Sequence, residues 1–269
     1  MVSIGSVVAL KPAEVSKSRL GTLPVPLRRR LARCMALDTL AALAAATDQL
    51  VVVSDDQTIA DRLRRAGIDA LVVAEPDPGG MNEALRLGDQ LLLDHGYTRV
   101  LAAVGDLPAI TAEAVGRLLD SSTRLPRAFV ADRSGYGTTM LIAPSGELDP
   151  RFQGASAQAH RMSGAVPVED PDPRLTRDVD AVEDLDAVIA LGVGPHTAGL
   201  IGTDRIGDYA AVTIAEPAPG PSGDYVVITD AGRRLPLPAS VLDVEIRFLR
   251  PGQRLHAVAA GGRLLSAWL

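Results

Sequence analysis

The feature that most constrains this chain is a repeated pairing, in its first two thirds, of a short apolar run with a longer stretch of helical periodicity. Ile4–Leu10 is an apolar run that ends in Lys-Pro. Leu27–Ala46 then carries apolar residues at helical spacing among good helix formers. Leu50–Val53 leads to Ser54-Asp55-Asp56, followed by a helical stretch over Thr58–Ala66 that Gly67 stops. Ala70–Ala74 leads to a Pro/Gly-rich loop, and Asn82–His95 reads as a helix with Gly96 past its end. Arg99–Val104 runs into Gly105-Asp106-Leu107-Pro108, and Ala112–Leu119 is again helical. Ala128–Ala131 and Thr139–Ala143 are strands on either side of a glycine-rich stretch. Strands alternating with helices predict an α/β domain of three layers around a mostly parallel sheet. In such sheets ligands gather outside the carboxyl ends of the strands. Lys11–Arg19, Asp77–Asn82 and Gly105–Pro108, the most polar junctions, all follow apolar strands.

The pattern changes near residue 198. Helical periodicity gives way to short runs at Ala210–Ile214, Tyr225–Ile228, Val244–Phe248 and Leu255–Ala259, separated by turn signals. This predicts an α/β domain over 1–198 and a small β-barrel over 199–269, joined by a linker at Gly192–Gly202. About 70 residues make a marginal core, so the barrel is expected to pack on the first domain or on a second subunit, as in a homodimer.

Charge and composition exclude several classes. The net charge of −6 and an aromatic content of 3% disfavour nucleic-acid binding, which needs a basic face and stacking rings. No apolar run is long enough to span a membrane, and the N-terminus reads as a strand rather than a signal peptide. Together with the single cysteine, Cys34, read as a buried small residue, this fits the cytoplasm. All basic residues but Lys11 and Lys17 are arginine. Two lysines in one N-terminal loop suggest a need for compact ammonium groups, with chance clustering the alternative.

Asp106 follows an apolar strand, where a carboxylate can bridge a divalent cation to phosphate; a turn or capping role is the alternative. In Asp178-Val179-Asp180, alternation puts both carboxylates on one face, a plausible metal pair. Asp180 also forms a D-x-x-E capping pattern with Glu183, so cap and ligand remain equal readings for it. Gly135-Tyr136-Gly137-Thr138-Thr139 suits either an anion cradle or a hairpin turn. Arg151–Ser156, followed by His160-Arg161, is a donor-rich loop that could hold a phosphate or carboxylate, or simply be solvated. The histidines show no metal-ligand spacing, and no Walker A motif, G-x-S-x-G elbow or paired CxxC is present.

Several of these segments, in order, resemble the guanylyltransferases that activate 2-phospholactate or phosphoenolpyruvate for coenzyme F-420 biosynthesis. They are Ala9-Leu10-Lys11, Lys17-Ser18-Arg19-Leu20, Met81–Leu85, Gly105–Pro108, Phe129–Arg133 with Gly135–Thr138, Arg151–Ser156, His160–Ala165, Asp178–Asp180 and Leu191–Pro195. The resemblance covers residues 1–195. It implies a Rossmann-like nucleotidyltransferase fold, GTP as donor, Mg2+ as cofactor, and phosphoenolpyruvate or 2-phospho-L-lactate as acceptor. By motif, Lys11, Lys17 and Arg19 would handle the triphosphate and Asn82 would lie in the guanosine loop. Asp106 and Asp178, with Asp180, would hold metal, and Thr138, Ser156 and the loop residue Gln153 would meet the acceptor. Gln153 departs from the family pattern, which has glycine directly after the phenylalanine. The competing readings are a cytidylyl- or molybdopterin-type transferase, for which a Gly-rich signature near the first strand is missing, and a non-catalytic regulatory protein acting through its barrel.

Overall fold

The computed structural model describes residues 2–11, 20–77, 79–216, 224–243, 246 and 248–269. Lys17 and Arg19 lie outside the described residues, as does most of the expected strand Val244–Phe248.

The first part of the chain builds β1 (Ile4–Ala9), α1 (Val25–Ala46), β2 (Gln49–Val53), α2 (Ile59–Arg65), β3 (Leu71–Val73), α3 (Met81–Asp94), β4 (Arg99–Ala103) and α4 (Ala112–Ser122). There follow β5 (Ala128–Ala131), β6 (Thr138–Pro144), α5 (Ser156–Met162), β7 (Val166–Pro167), α6 (Val182–Leu191) and α7 (Pro195–Ala198). The strands form one sheet in the order β3-β2-β1-β4-β6-β5-β7. Its left half, β3-β2-β1-β4, is parallel throughout.

The strands read as unbroken apolar runs because both faces are covered. Val8, Val52 and Leu101 join the core under α1, α2 and α4, while their neighbours Val7, Val51 and Ala102 join the core under α3 and α5. A period of two along each strand therefore serves two cores at once. Helix α3 sits close to the sheet at Gly88, where an added Cβ would come within 2.1 Å of Val7 Cγ2.

The sheet is mostly parallel, as the alternation of strands and helices predicts, with one reversed strand in its right half. β6 runs antiparallel to both β4 and β5. The six residues between β5 and β6 make a turn, and a turn cannot provide the crossover that parallel neighbours need. The sheet is therefore mixed.

The tail forms β8 (Asp208–Glu216), β9 (Tyr225–Thr229), β10 (Arg234–Leu237), β11 (Arg254–Ala260) and β12 (Arg263–Trp268). They make a separate antiparallel sheet in the order β10-β9-β8-β11-β12. Among the described residues its edge strands are not hydrogen-bonded to each other, so it is a half-barrel rather than a closed one. Its inner face buries Val212, Ile214, Val227, Leu237, Leu255 and Ala257.

The other face of this sheet packs on the first domain. Val258 and Trp268 share a core with Leu27, Leu31, Cys34 and Met35 of α1. Arg30 of α1 lies over the Trp268 ring, 5.8 Å from its centroid, and pairs with the Asp243 carboxylate. Burial raises the Cys34 thiol to about 11, which makes it an inert packing residue.

The stretch Gly192–Gly202 is not the loose spacer expected from its Gly, Pro and Thr content. Gly194 N–H donates to the Pro108 carbonyl (2.8 Å), and Leu200 is fully buried. The Asp38 carboxylate of α1 accepts from His196 N–H (2.9 Å) and Thr197 N–H (2.8 Å), at the start of α7. Burial holds that carboxyl above the usual range against the pull of these donors.

Candidate active site

The carboxyl ends of β1 and β4 and the start of β6 meet along one edge of the sheet. Lys11 follows β1, Asp106 follows β4, and Thr138 opens β6. Val104 N–H donates to the Thr139 carbonyl (2.9 Å), which brings the start of β6 beside the end of β4. Leu107 N–H donates to Thr39 Oγ1 of α1 (3.0 Å), fixing the turn that carries Asp106.

A single backbone bond delivers the other two acids. Val179 N–H donates to the Asp106 carbonyl (3.2 Å), and Val179 is itself fully buried. With Val179 pointing into the core, alternation turns Asp178 and Asp180 to the opposite side. Oxygen atoms of Asp106, Asp178 and Asp180 all lie within 4.8 Å of one another. Three carboxylates make a hard, oxygen-only donor set, the kind that suits a divalent cation such as magnesium or calcium. The triad could therefore hold a divalent metal.

Asp180 is not the helix cap that its spacing suggested. The α6 cap is built one residue later: the Asp184 carboxylate accepts from Asp180 N–H (3.0 Å) and Ala181 N–H (2.8 Å). Asp184, not Glu183, is the acid that closes the first turn, and the Asp180 side chain is left on the metal side.

Two clefts flank the triad. One, of about 250 Å³, is lined by Lys11, Arg33 and Asp106 together with apolar residues of α1 and α2. The other, of about 360 Å³, is lined by Arg133 and Arg177 and by the carboxylates of Asp132, Asp178, Asp180 and Asp184. The triad is thus shared between the two cavities, Asp106 lining the first and Asp178 and Asp180 the second, with basic side chains in each.

Thr138 and Ser156 lie against His160, and Gln153 directly follows Phe152, whose ring meets the His160 ring. Arg151 N–H donates to His160 Nε2 (2.9 Å), so the ring proton is assigned to Nδ1, which lies 2.9 Å from Thr138 Oγ1. Nδ1–H donates and the Thr138 oxygen accepts, which leaves the Thr138 hydroxyl proton available to another acceptor. Burial, helped by Arg127, pushes His160 down to about 4, so the ring is neutral near pH 7. The ring also stands edge-on to Phe152, centroids 5.1 Å apart. Ala157 N–H donates to the Tyr136 carbonyl (3.1 Å), tying the start of α5, with the buried Ser156, to the glycine-rich turn.

The glycine-rich turn is a hairpin turn in this structure, not an anion cradle. The Asp132 carboxylate accepts from Tyr136 N–H (3.1 Å), Gly137 N–H (2.9 Å) and the Ser134 hydroxyl (2.8 Å). The N–H groups that an anion would need already serve this carboxylate.

Asn82 has a role that spacing did not reveal. Its amide oxygen accepts from Phe152 N–H (2.9 Å), and its amide nitrogen donates to the Phe152 carbonyl (3.1 Å). The side chain clamps the Arg151–Ser156 loop directly before Gln153. Gln153 has φ +99°, a conformation that glycine adopts and other residues rarely do. The loop has kept a glycine-like backbone without the glycine. The roles of Asp132 and of Asn82 as a clamp were missed from sequence, and His160 was noted only as part of a donor-rich loop, since each acts on partners that spacing does not identify.

Among the described residues no helix is long and apolar enough to cross a membrane. A phosphoenolpyruvate guanylyltransferase of Mycobacterium sp. (strain KMS) is 38% identical over 207 residues, covering 75% of this chain and 93% of that protein. One of Streptomyces scabiei is 41% identical over 203 residues, covering 71% and 93%. In fold, the chain is similar to a putative nucleotide-diphospho-sugar transferase from Desulfovibrio desulfuricans G20, with a TM-score of 0.54, 21% identity, and coverage of 70% of this chain and 87% of that one. Residues 4–201, which hold the triad, both flanking clefts and the His160 group, match the family described as guanylyl transferase CofC like, and the chain belongs to that family.

Proposed function

We propose that this protein transfers GMP from GTP to phosphoenolpyruvate, releasing pyrophosphate, as a step of coenzyme F-420 biosynthesis. The observation that carries the reading is the acidic triad, shared between the cleft that holds Lys11 and Arg33 and the cleft that holds Arg133 and Arg177. It is supported by family membership and by relatives named phosphoenolpyruvate guanylyltransferase.

GTP would occupy the cleft lined by Lys11, with Lys17 and Arg19 of the following segment completing its phosphate contacts. A phosphate oxygen of the acceptor attacks the α-phosphorus, the new P–O bond forms, the bond to the β-phosphate breaks, and pyrophosphate leaves. That oxygen is already ionised near neutral pH, so no general base is needed. This agrees with a site rich in carboxylates and cations in which His160 is tied up as a neutral donor. Mg2+ held by Asp106, Asp178 and Asp180 would supply charge neutralisation and alignment of the phosphates. Thr138 would donate its hydroxyl proton to the acceptor acid, and Ser156 and the loop at Gln153 would complete that subsite.

The test is pyrophosphate release by purified protein given GTP and Mg2+ with phosphoenolpyruvate, with 2-phospho-L-lactate, or with neither. Release that needs phosphoenolpyruvate and stops on chelation of the metal is expected. A clear preference for 2-phospho-L-lactate overturns the acceptor, and release with CTP but not GTP overturns the donor.

A further inference from the structure

The cleft that holds Lys11 continues past Ala9, Leu10 and Met81 into a narrower slot of about 110 Å³. Leu10, Val53 and Met81 give this slot apolar walls, and its ionisable groups among the described residues are Lys11 and Glu75. Glu75 follows β3 and is half-buried. Two bonds pin it: its N–H donates to Asp55 Oδ1 (3.1 Å), and its Oε1 accepts from Gly80 N–H (2.7 Å), just before α3. Among the described residues its second oxygen, Oε2, makes no hydrogen bond.

We propose that this slot seats the guanine base of the nucleotide and that Glu75 is the residue that selects it. The inference rests on the GTP-dependent reading above. An apolar slot suits the faces of a flat base, and the Met81 thioether adapts to ring contact. The carboxylate then sets which edge is accepted. Guanine presents two adjacent donors, N1–H and the N2 amino group. An ionised carboxylate can only accept, so it matches that edge. Adenine places an acceptor, N1, beside its amino group, and a carboxylate repels that arrangement. Lys11 lines both cavities, so a nucleotide with its base in the slot would run its phosphates past the ammonium toward Asp106.

The far end of the main cleft offers a competing carboxylate, Asp56, but it is already committed. Asp56 Oδ1 accepts from Thr58 N–H (2.9 Å) and from the Thr58 hydroxyl (2.5 Å), and Oδ2 accepts from Arg62 (3.0 Å). A base placed there would have to break an existing pair.

Glu75→Gln separates the two duties of this side chain. The amide oxygen can keep the bond from Gly80 N–H, while the NH2 group replaces the guanine acceptor with a donor. Nucleotidyl transfer is measured for the full-length wild type and variant with GTP, ITP and ATP. ITP retains N1–H and lacks the N2 amino group, so the wild type should prefer GTP over ITP by roughly tenfold or more, the scale of a hydrogen bond to a charged group. In the variant kcat/KM for GTP should fall by at least roughly tenfold, and the preferences for GTP over ITP and over ATP should both shrink. Loss of GTP turnover with the GTP:ITP and GTP:ATP ratios unchanged would overturn the assignment, as would wild-type ratios retained at full activity. A wild type that performs no guanylyl transfer would instead sink the underlying reading. Should Glu75→Gln prove unstable by thermal melting, Glu75→Asp, which keeps the charge and shortens its reach, must show the same narrowing.

Discussion

Asp106 is the residue on which the proposed chemistry depends most. Its backbone carbonyl receives Val179 N–H and so assembles the triad, while its side chain contributes one of the three carboxylates. Asp106→Asn keeps the carbonyl and the side-chain shape and removes the charge. Turnover should therefore fall by ~100-fold or more, the scale of lost electrostatic stabilisation, with the melting temperature little changed. Near-normal turnover would remove Asp106 from the site. Gln153 makes a second residue-scale case. A non-glycine residue at φ +99° carries backbone strain of about 1 kcal/mol or more. Gln153→Gly should relieve it and raise stability by an amount of that order, less the extra freedom glycine gives the unfolded chain. A drop in denaturation midpoint would show that the Gln153 side chain makes a compensating contact. His160 predicts a pH effect. Its folded-state pKa lies near 4, below the ordinary 6.5, because burial disfavours the charged ring. Between those values the unfolded chain binds a proton that the folded chain refuses, so stability falls as pH drops from about 6.5 toward 4 and is fully present above that window. The loss is on the order of 3 kcal/mol. His160→Gln should flatten this part of the stability profile, and an identical profile in variant and wild type would assign the acid sensitivity to other groups.

At the scale of elements, legibility followed from whether the signal was local. The strands β1, β2 and β4 were plain in the sequence because both their faces are buried and they read as continuous apolar runs. The helices α1 and α3 were plain because their periodicity extends over several turns. Strands β10 and β12 were not singled out. Arg234–Leu237 is only four residues long and holds a proline, which argues against a strand, and Arg263–Trp268 divides its side chains between the barrel core and the α1 interface, so it does not alternate cleanly. The antiparallel direction of β6 was half legible: its glycine-rich connection reads equally as an anion cradle or a hairpin turn, and only the hairpin makes the two strands antiparallel. Within the site, the acids and Lys11 were legible because charged residues directly after apolar strands stand out. The side chains that hold the site in shape were not. Asn82, Asp132, Thr39 and Asp184 act through bonds to backbone groups, and a sequence does not record which backbone group faces which side chain. The Asp184 cap shows how little separates the two outcomes: a shift of one residue from Glu183 leaves Asp180 to the triad.

The whole molecule is a catalytic domain that carries its tail on the outside of α1. One part of α1 lines the Lys11 cleft through Ala32, Arg33, Ala36 and Leu37, and another takes up Trp268 and Val258. The family match covers residues 4–201, so nearly all of the tail lies outside it. We therefore expect the tail to support α1 without entering the chemistry, with the division near residue 198 marking a functional boundary rather than a loose joint. A chain ending at residue 198 would uncover part of the face formed by Leu27, Leu31 and Cys34, remove the Asp243 partner of Arg30, and lose the buried Leu200. Each large apolar side chain returned to water costs about 1.5–3 kcal/mol, so the shortened chain should melt well below the full one. Activity per folded molecule, measured at saturating GTP and acceptor below the melting transition, should stay within a few-fold, because the triad, Lys11 and the His160 group all precede the cut. If the shortened protein is folded but its kcat collapses, the tail shapes the Lys11 cleft through α1 and belongs to the catalytic machinery. If it melts with the full-length protein, the contact between Trp268 and α1 contributes nothing to the stability of the fold.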